Sequence, residues 1–211
     1  MNKIPTLDDI RSTHRRIKPF INHTPVLTSG QLNRIYGCNL FFKCENFQKV
    51  GAFKFRGATN AVLLLDEEQK KKGVVTHSSG NHAAALSLAA GMSGVRAYIV
   101  MPETAPQVKK NAVAGYGAEI TFCKPTLEAR ESACRILMNE KGATLIHPYD
   151  NFNVICGQGT AALELLEEVD DLDVVIAPVG GGGLLSGTSC CVKGVNGNIT
   201  VVGAEPLNAN D

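Results

Sequence analysis

An α/β protein with parallel sheets covered by helices on both faces is the fold class this sequence predicts, on three observations. From Gly73 onward, short β-rich apolar runs alternate with helical runs, the order of strand–helix–strand units. Runs such as Ala97-Tyr98-Ile99-Val100 and Val174-Val175-Ile176-Ala177 are apolar almost throughout, as strands buried on both faces are. The turns after two of these runs are rich in glycine and small hydroxyl residues, at the strand ends where such sheets bind ligands.

The elements follow in order. Thr6 with Asp9 three residues on, then Leu7, Ile10, His14, Ile17 and Ile21 at helical spacing, predicts a helix stopped near Pro19. Thr24-Pro25 forces an extended or turning conformation; a short helix covers Gly30 to Tyr36, and Asn39 to Cys44 is strand-like. Ala58 to Gln69 is helical. Strands over Val74–Thr76, Ala97–Val100, Glu119–Phe122, Thr144–Ile146, Val174–Ala177 and Ile199–Val202 alternate with helices over Ala83–Met92, Pro106–Tyr116, Leu127–Asn139, Gly159–Val169 and Leu184–Lys193. With no repeat, low-complexity segment or linker, any division comes from the chain passing between two lobes: residues 76–147 as a small lobe, residues 1–75 and 148–211 as a large one.

At 211 residues, 44% hydrophobic and 19% charged, the chain can bury a sizeable core. A net charge of +1 and no long run of one sign argue against nucleic-acid or membrane-surface partners, and Lys70-Lys71-Lys72 reads as the solvated end of a helix. No apolar run reaches membrane-spanning length and no signal peptide opens the chain, so a cytoplasmic location is expected. The seven cysteines form no C-x-x-C pair and have no histidine at ligand spacing; they read as small buried hydrophobes, against a zinc site or disulfide framework.

Three stretches carry chemistry. In Val50 to Ala58, Lys54 stands between Phe53 and Phe55 inside a glycine-bounded turn, at or just before a helix N-terminus. An amine desolvated there has a lowered pKa and can attack a carbonyl; a lysine stem lying along two core phenylalanines is the competing reading. Thr76 to His82 runs from strand to helix, and Ser78, Ser79, Gly80, Asn81 and His82 offer N–H groups and a positive dipole end to a carboxylate or phosphate. An ordinary serine cap, and a His82 satisfied by a backbone carbonyl, remain open. Gly180, Gly181, Gly182 and Gly183, again between strand and helix, read as a phosphate cradle. A linker is the weaker alternative, and a dinucleotide site with Glu205 as ribose acid is the sharper one, although Leu184 and Leu185 break its glycine pattern.

Taken together, G-A-F-K-F-R-G-A at 51–58, T-H-S-S-G-N-H at 76–82, G-Q-G-T at 157–160, G-G-G-G at 180–183 and A-E-P-x-N-A at 204–209 resemble the fold-type II pyridoxal-phosphate enzymes, in particular the serine racemase and serine/threonine dehydratase family. The resemblance covers about Leu7 to Asp211 and implies a two-lobed architecture and pyridoxal 5′-phosphate as cofactor. It implies Lys54 as the Schiff-base lysine, Phe53 against the cofactor ring, Asn81 on its phenolic oxygen, Gly180 to Gly183 on its phosphate, and Ser78 to His82 on the substrate carboxylate. Ser79 would face Lys54 as the second proton carrier, making the activity interconversion of L- and D-serine with β-elimination to pyruvate and ammonia. A dehydratase without racemase activity is the alternative, as is an inactive chain that binds or regulates a full-length subunit.

The resemblance further implies a divalent cation, magnesium or calcium, at Glu205, Ala209 and Asp211, where a solvated acidic tail is the bland reading. It implies an ATP effector at a dimer interface near Ser29, Lys49 and Tyr116, where Gly30, Ala83 and Ala84 depart from the pattern, as Tyr149 does near the cofactor. The partners it implies are an amino-acid substrate and, for a full-length chain, a second copy. Because such enzymes continue past position 211, the resemblance implies a truncated chain with an incomplete large lobe.

Overall fold

The computed structural model describes residues 3–208. Helix α1 (Leu7–Ile17) starts at the expected capping box: Thr6 Oγ1 accepts from the Asp9 N–H, and the Asp9 carboxylate accepts from the Thr6 N–H at 3.0 Å. Its Ile10 and Ile17 are fully buried.

Strands β1 (Val26–Thr28) and β2 (Phe41–Lys43) pair antiparallel around helix α2 (Gly30–Tyr36), with Val26 opposite Lys43. This antiparallel ribbon lies before the strand–helix alternation that begins at Gly73 and stands beside the parallel sheets expected from there on. Gly37, at φ 65, ends α2 after two turns, and the chain returns beside β1 instead of crossing over.

Two short 3₁₀ turns, Glu45–Phe47 and Lys49–Gly51, lead to α3 (Lys54–Leu63). The single helix expected over Ala58 to Gln69 is two. Asp66 forms a capping box with Gln69 that starts α4 (Glu67–Lys72), so α3 stops before it. Lys70 and Lys72 pair with Glu67 and Glu68 at 2.7 and 2.6 Å on the solvated last turn of α4.

Next comes a four-stranded sheet in the order β5-β4-β3-β6, all neighbours parallel: β3 (Val74–His77), β4 (Ala97–Pro102), β5 (Glu119–Cys123) and β6 (Thr144–Leu145). Helices α5 (Asn81–Met92), α6 (Gln107–Gly115) and α7 (Leu127–Lys141) connect them. Alternate side chains feed two cores. Val74, Ala97, Ile99 and Met101 join α3 and α5, whereas Val75, Tyr98 and Val100 join Cys134 and Leu137 of α7. Burial of each large apolar side chain contributes about 1.5–3 kcal/mol.

Helix α8 (Phe152–Glu168) begins seven residues earlier than the sequence suggests, capped by Asn151, whose side chain accepts from the Val154 N–H at 3.0 Å. Gly157 and Gly159 of this helix are contact surfaces. A Cβ on Gly157 would stand 2.4 Å from Gly57 Cα of α3, and one on Gly159 would stand 2.8 Å from the Gly187 carbonyl of α9 (Gly183–Val195). β7 (Val174–Pro178) and β8 (Thr200–Ala204) form a separate parallel pair, in register from Val174↔Thr200 to Pro178↔Ala204. Its inner core unites Ile10, Leu163, Val175, Cys191, Val192 and Ile199.

The cysteines are free thiols. Cys134, Cys156 and Cys191 are buried as expected, but Cys38 is exposed beside the turn that follows α2. No helix among the described residues is long and apolar enough to cross a membrane.

Candidate active site

Lys54 is the first residue of α3, which Phe53 enters without a side-chain cap. Its ammonium lies 5.3 Å from the centre of the Phe53 ring and donates to the Pro148 carbonyl at 2.7 Å. Burial lowers its pKa to about 8. The sequence placed Lys54 between two rings, and the structure supplies one. Phe55 is fully buried in the core, and the amine over its ring, at 5.6 Å, is that of Lys49.

Phe53 and Lys54 face Gly180, Gly181, Gly182 and Gly183 across a cleft of about 190 Å³, with Tyr149, Pro178, Val179 and Leu184 completing its walls. Gly182, at φ 77, is the N-cap of α9 and brings no capping side chain, so the first N–H groups of that helix are left for a ligand. An added Cβ on Gly180 or Gly182 would meet nothing within 4 Å, whereas one on Gly181 would stand 2.2 Å from the Tyr149 ring. The loop is thus open toward the cleft and closed against Tyr149.

The loop from Ser78 to His82 follows β3. Ser78 N–H donates to the Val100 carbonyl at 3.2 Å, and the Gly80 N–H reaches the Ser78 hydroxyl at 3.3 Å. Ser79 is half-buried and Asn81, first residue of α5, is exposed; no side chain caps that helix. His82 is instead 2% exposed, its Nε2 3.0 Å from the Ile146 carbonyl, and burial lowers its pKa to about 3. It is a neutral core histidine that ties the loop to the chain after β6.

Of that chain, residues 146–150, the sequence reading placed Tyr149 near the cofactor and missed the rest. Ile146 accepts from His82, Pro148 accepts from Lys54, and Tyr149 packs on Gly181. The His147 ring stands edge-on to His77 at 5.7 Å and to Tyr149 at 4.6 Å, while its Nδ1 accepts from the Asp150 N–H at 2.9 Å. One strap thus touches all three predicted stretches. Two of its contacts are backbone carbonyls, which residue identity does not announce.

The remaining predicted residues lie apart from the cleft lining. Ser29 caps α2 by accepting from the Leu32 N–H at 3.3 Å, Lys49 donates to the Phe20 carbonyl, and Tyr116 ends α6. Glu205 follows β8; Ala209 and Asp211 lie outside the described residues, and among the described residues no cluster of metal-ligating side chains occurs.

A desolvated amine facing an uncapped glycine turn, at the carboxyl ends of parallel strands, defines a class: an α/β enzyme scaffold built for a phosphorylated carbonyl compound. The family described as "Pyridoxal-phosphate dependent enzyme" matches residues 17–211, and the chain belongs to it. Among curated relatives it is 58% identical over 206 residues to the serine racemase of Dictyostelium discoideum, covering 98% of this chain and 64% of the relative. It is 52% identical to the beta-hydroxyaspartate dehydratase of Paracoccus denitrificans, covering 99% and 66%. Among solved structures, maize serine racemase superposes with a TM-score of 0.97 at 47% identity, covering 99% of this chain and 64% of that one. The chain thus spans about 64% of the length of the Dictyostelium relative.

Proposed function

We propose that this chain carries the cofactor-binding half of an amino-acid racemase and ammonia-lyase that acts on serine. The observation that carries the reading is the Lys54 amine, its pKa lowered to about 8 by burial, opening on the glycine cleft. The residues fit pyridoxal 5′-phosphate. The uncapped start of α9 suits its phosphate, the Lys54 amine its aldehyde, and Phe53 the face of its ring. When bound, that cofactor supplies a conjugated ring that takes up the electron pair left at the substrate's α-carbon.

The chain's own residues divide the rest. The lowered pKa keeps a larger fraction of Lys54 neutral near physiological pH than an exposed lysine has, so the amine can act as nucleophile and then as base for the α-proton. The Pro148 carbonyl, accepting from Lys54, aims the amine along the cleft. The N–H groups at the start of α5 receive the substrate carboxylate, with Asn81 at their head. Ser79, half-buried in the same loop, is read as the hydroxyl that returns a proton on the opposite face. Loss of the β-hydroxyl as water from the same substrate anion leaves an enamine, which takes up one water to give pyruvate and ammonia. The serine racemases of Dictyostelium and maize favour this substrate, and the Paracoccus dehydratase keeps elimination without racemisation as the alternative.

We extend the proposal to a small lobe of residues 76–147, supported by the four-stranded sheet that falls there except for Val74 and Val75 of β3, with residues 1–75 and 148–211 in the large one. A magnesium or calcium site at Glu205, Ala209 and Asp211, an ATP effector, a homodimer of the full-length enzyme and a cytoplasmic setting belong to the same reading. They rest on the resemblance and not on the cleft.

Ser79→Ala separates the two activities. Racemisation is expected to fall at least about 100-fold, the scale of losing a positioned acid–base group, with elimination from L-serine retained. Equal loss of both would remove the case for a racemase and leave a dehydratase.

A further inference from the structure

Arg56, two residues beyond Lys54, is the largest fully buried side chain among the described residues. Every donor of its guanidinium is engaged. Nε and Nη2 reach Glu45 at 2.8 and 2.7 Å, and Nη1 and Nη2 reach Glu164 of α8 at 2.7 Å each. Thr160 and Thr24 accept at 3.3 Å. Two carboxylates are thus gripped through two forks, the strongest geometry an arginine offers. Glu164 is shared with Lys43 at 3.0 Å, so the cluster joins β2, the first 3₁₀ turn, α3 and α8.

The proposed chemistry does not use this cluster, yet Arg56 lies two residues along α3 from the amine that carries it. Phe53 brings no capping side chain to the first turn of α3, whose entry is closed by the Phe55 N–H to Ala52 at 3.3 Å and the Arg56 N–H to Phe53 at 3.0 Å; beyond Arg56, the turn is held by the Gly57 N–H on the Gln158 amide oxygen at 3.3 Å and by the Lys54 amine on the Pro148 carbonyl at 2.7 Å. Where Lys54 begins is therefore set by what grips Arg56 and by the seat of Gly57 against Gly157. We propose that Arg56 is a positioning residue for Lys54: its double fork to Glu45 and Glu164 fixes the start of α3 so that the amine points into the glycine cleft and stays out of water. The burial that lowers the Lys54 pKa is then a consequence of this anchoring. His82 and His147 are titratable groups within electrostatic reach of Lys54, both shifted down by burial, so neither supplies a charge that would substitute for it.

The inference rests on Lys54 being the working amine, and its test is kept separate from cofactor binding. Competitive acetylation of the cofactor-free chain from neutral to alkaline pH, with mass mapping of the Lys54 peptide, reads the amine's pKa directly. Arg56→Lys keeps the charge and loses the forks. Lys54 is expected to rise from about 8 toward the free value near 10.5 while circular dichroism shows a folded chain. An unchanged Lys54 in folded Arg56→Lys overturns the proposal. Should that variant fail to fold, Glu45→Gln decides, because it loosens one fork and leaves Glu164 in place; a smaller rise is expected, and no rise overturns. Ile10→Val, a fully buried site on α1, is the control for general loosening: its Lys54 is expected to stay at about 8, and a rise equal to that of Arg56→Lys also overturns. If the parent chain binds no pyridoxal phosphate while Lys54 still responds to Arg56, the cofactor reading fails and the positioning role stands.

Discussion

The four-stranded sheet and the β7–β8 pair grow from the same strand–helix–strand unit and end differently. In the first, both faces are covered: Val74 and Ile99 pack toward α3 and α5, Val75 and Val100 toward α7, and all four are fully buried. In the second, Val175 and Ala177 are buried at 6% and 5% exposure, but Val174 and Ile176 on the other face stand 45% and 65% exposed. Both strands read alike, because an apolar run records how a strand expects to be buried and not what covers it. The cleft is lined from the side of the second pair: the glycine loop that leaves β7 faces Phe53, Lys54 and Tyr149, the serine loop that leaves β3 is not in its lining, and the strap from residue 146 to 150 touches both loops. A site built this way takes its rigidity from the covered sheet and the helices behind it.

The sharpest contrast is between Ile99 and Ile176. Ile99→Ala is expected to cost about 2–5 kcal/mol in denaturant unfolding. Ile176→Ala is expected to stay within about 0.5 kcal/mol, since that side chain is already largely in water. Comparable costs would show that the outer face of β7 is covered in solution. Next comes the joint between α3 and α8. Gly157→Ala puts a methyl 2.4 Å from Gly57 Cα, and the expected loss is about 1–3 kcal/mol, with Lys54 displaced along with its helix.

Much of this was legible in the sequence. The positions of the strands along the chain from Val74 on, the helix at Gly30–Tyr36, the Thr6 cap and the placing of Lys54 at a helix start all follow from spacing and capping rules. What was not legible has physical causes. The ribbon of β1 and β2 depends on how the chain turns at Gly37, and the early start of α8 on glycines used for contact instead of for turning. Within the site, Lys54, Phe53 and the tetraglycine loop meet as their residue types suggest. His82 does not join them, because a ring at the first turn of α5 found a carbonyl to satisfy it in the core. The Pro148 carbonyl was invisible for the general reason that backbone acceptors carry no sequence signature.

A smaller effect tests whether function was set against stability at Lys54. Burial holds its pKa at about 8 against 10.5 for a free lysine, so folding must bury an ammonium at neutral pH. The folded pKa lies below the unfolded one; the stability linked to it is therefore present above pH 10.5 and lost as pH falls through 8. Lys54→Met is expected to stabilise the cofactor-free chain by about 1–2 kcal/mol at neutral pH, with the gain fading as the parent recovers stability toward pH 10.5. A gain that did not depend on pH would trace to packing and not to the buried charge.

The central claim is that Lys54, and no other lysine, is the amine that engages pyridoxal phosphate. The direct measurement is borohydride reduction of the chain after incubation with pyridoxal phosphate near neutral pH, followed by mass mapping of every lysine peptide. The account expects the pyridoxyl mass on Lys54, saturating at one per chain and absent from Lys54→Ala. Label spread over exposed lysines such as Lys70 to Lys72, with Lys54 unmodified, would contradict it.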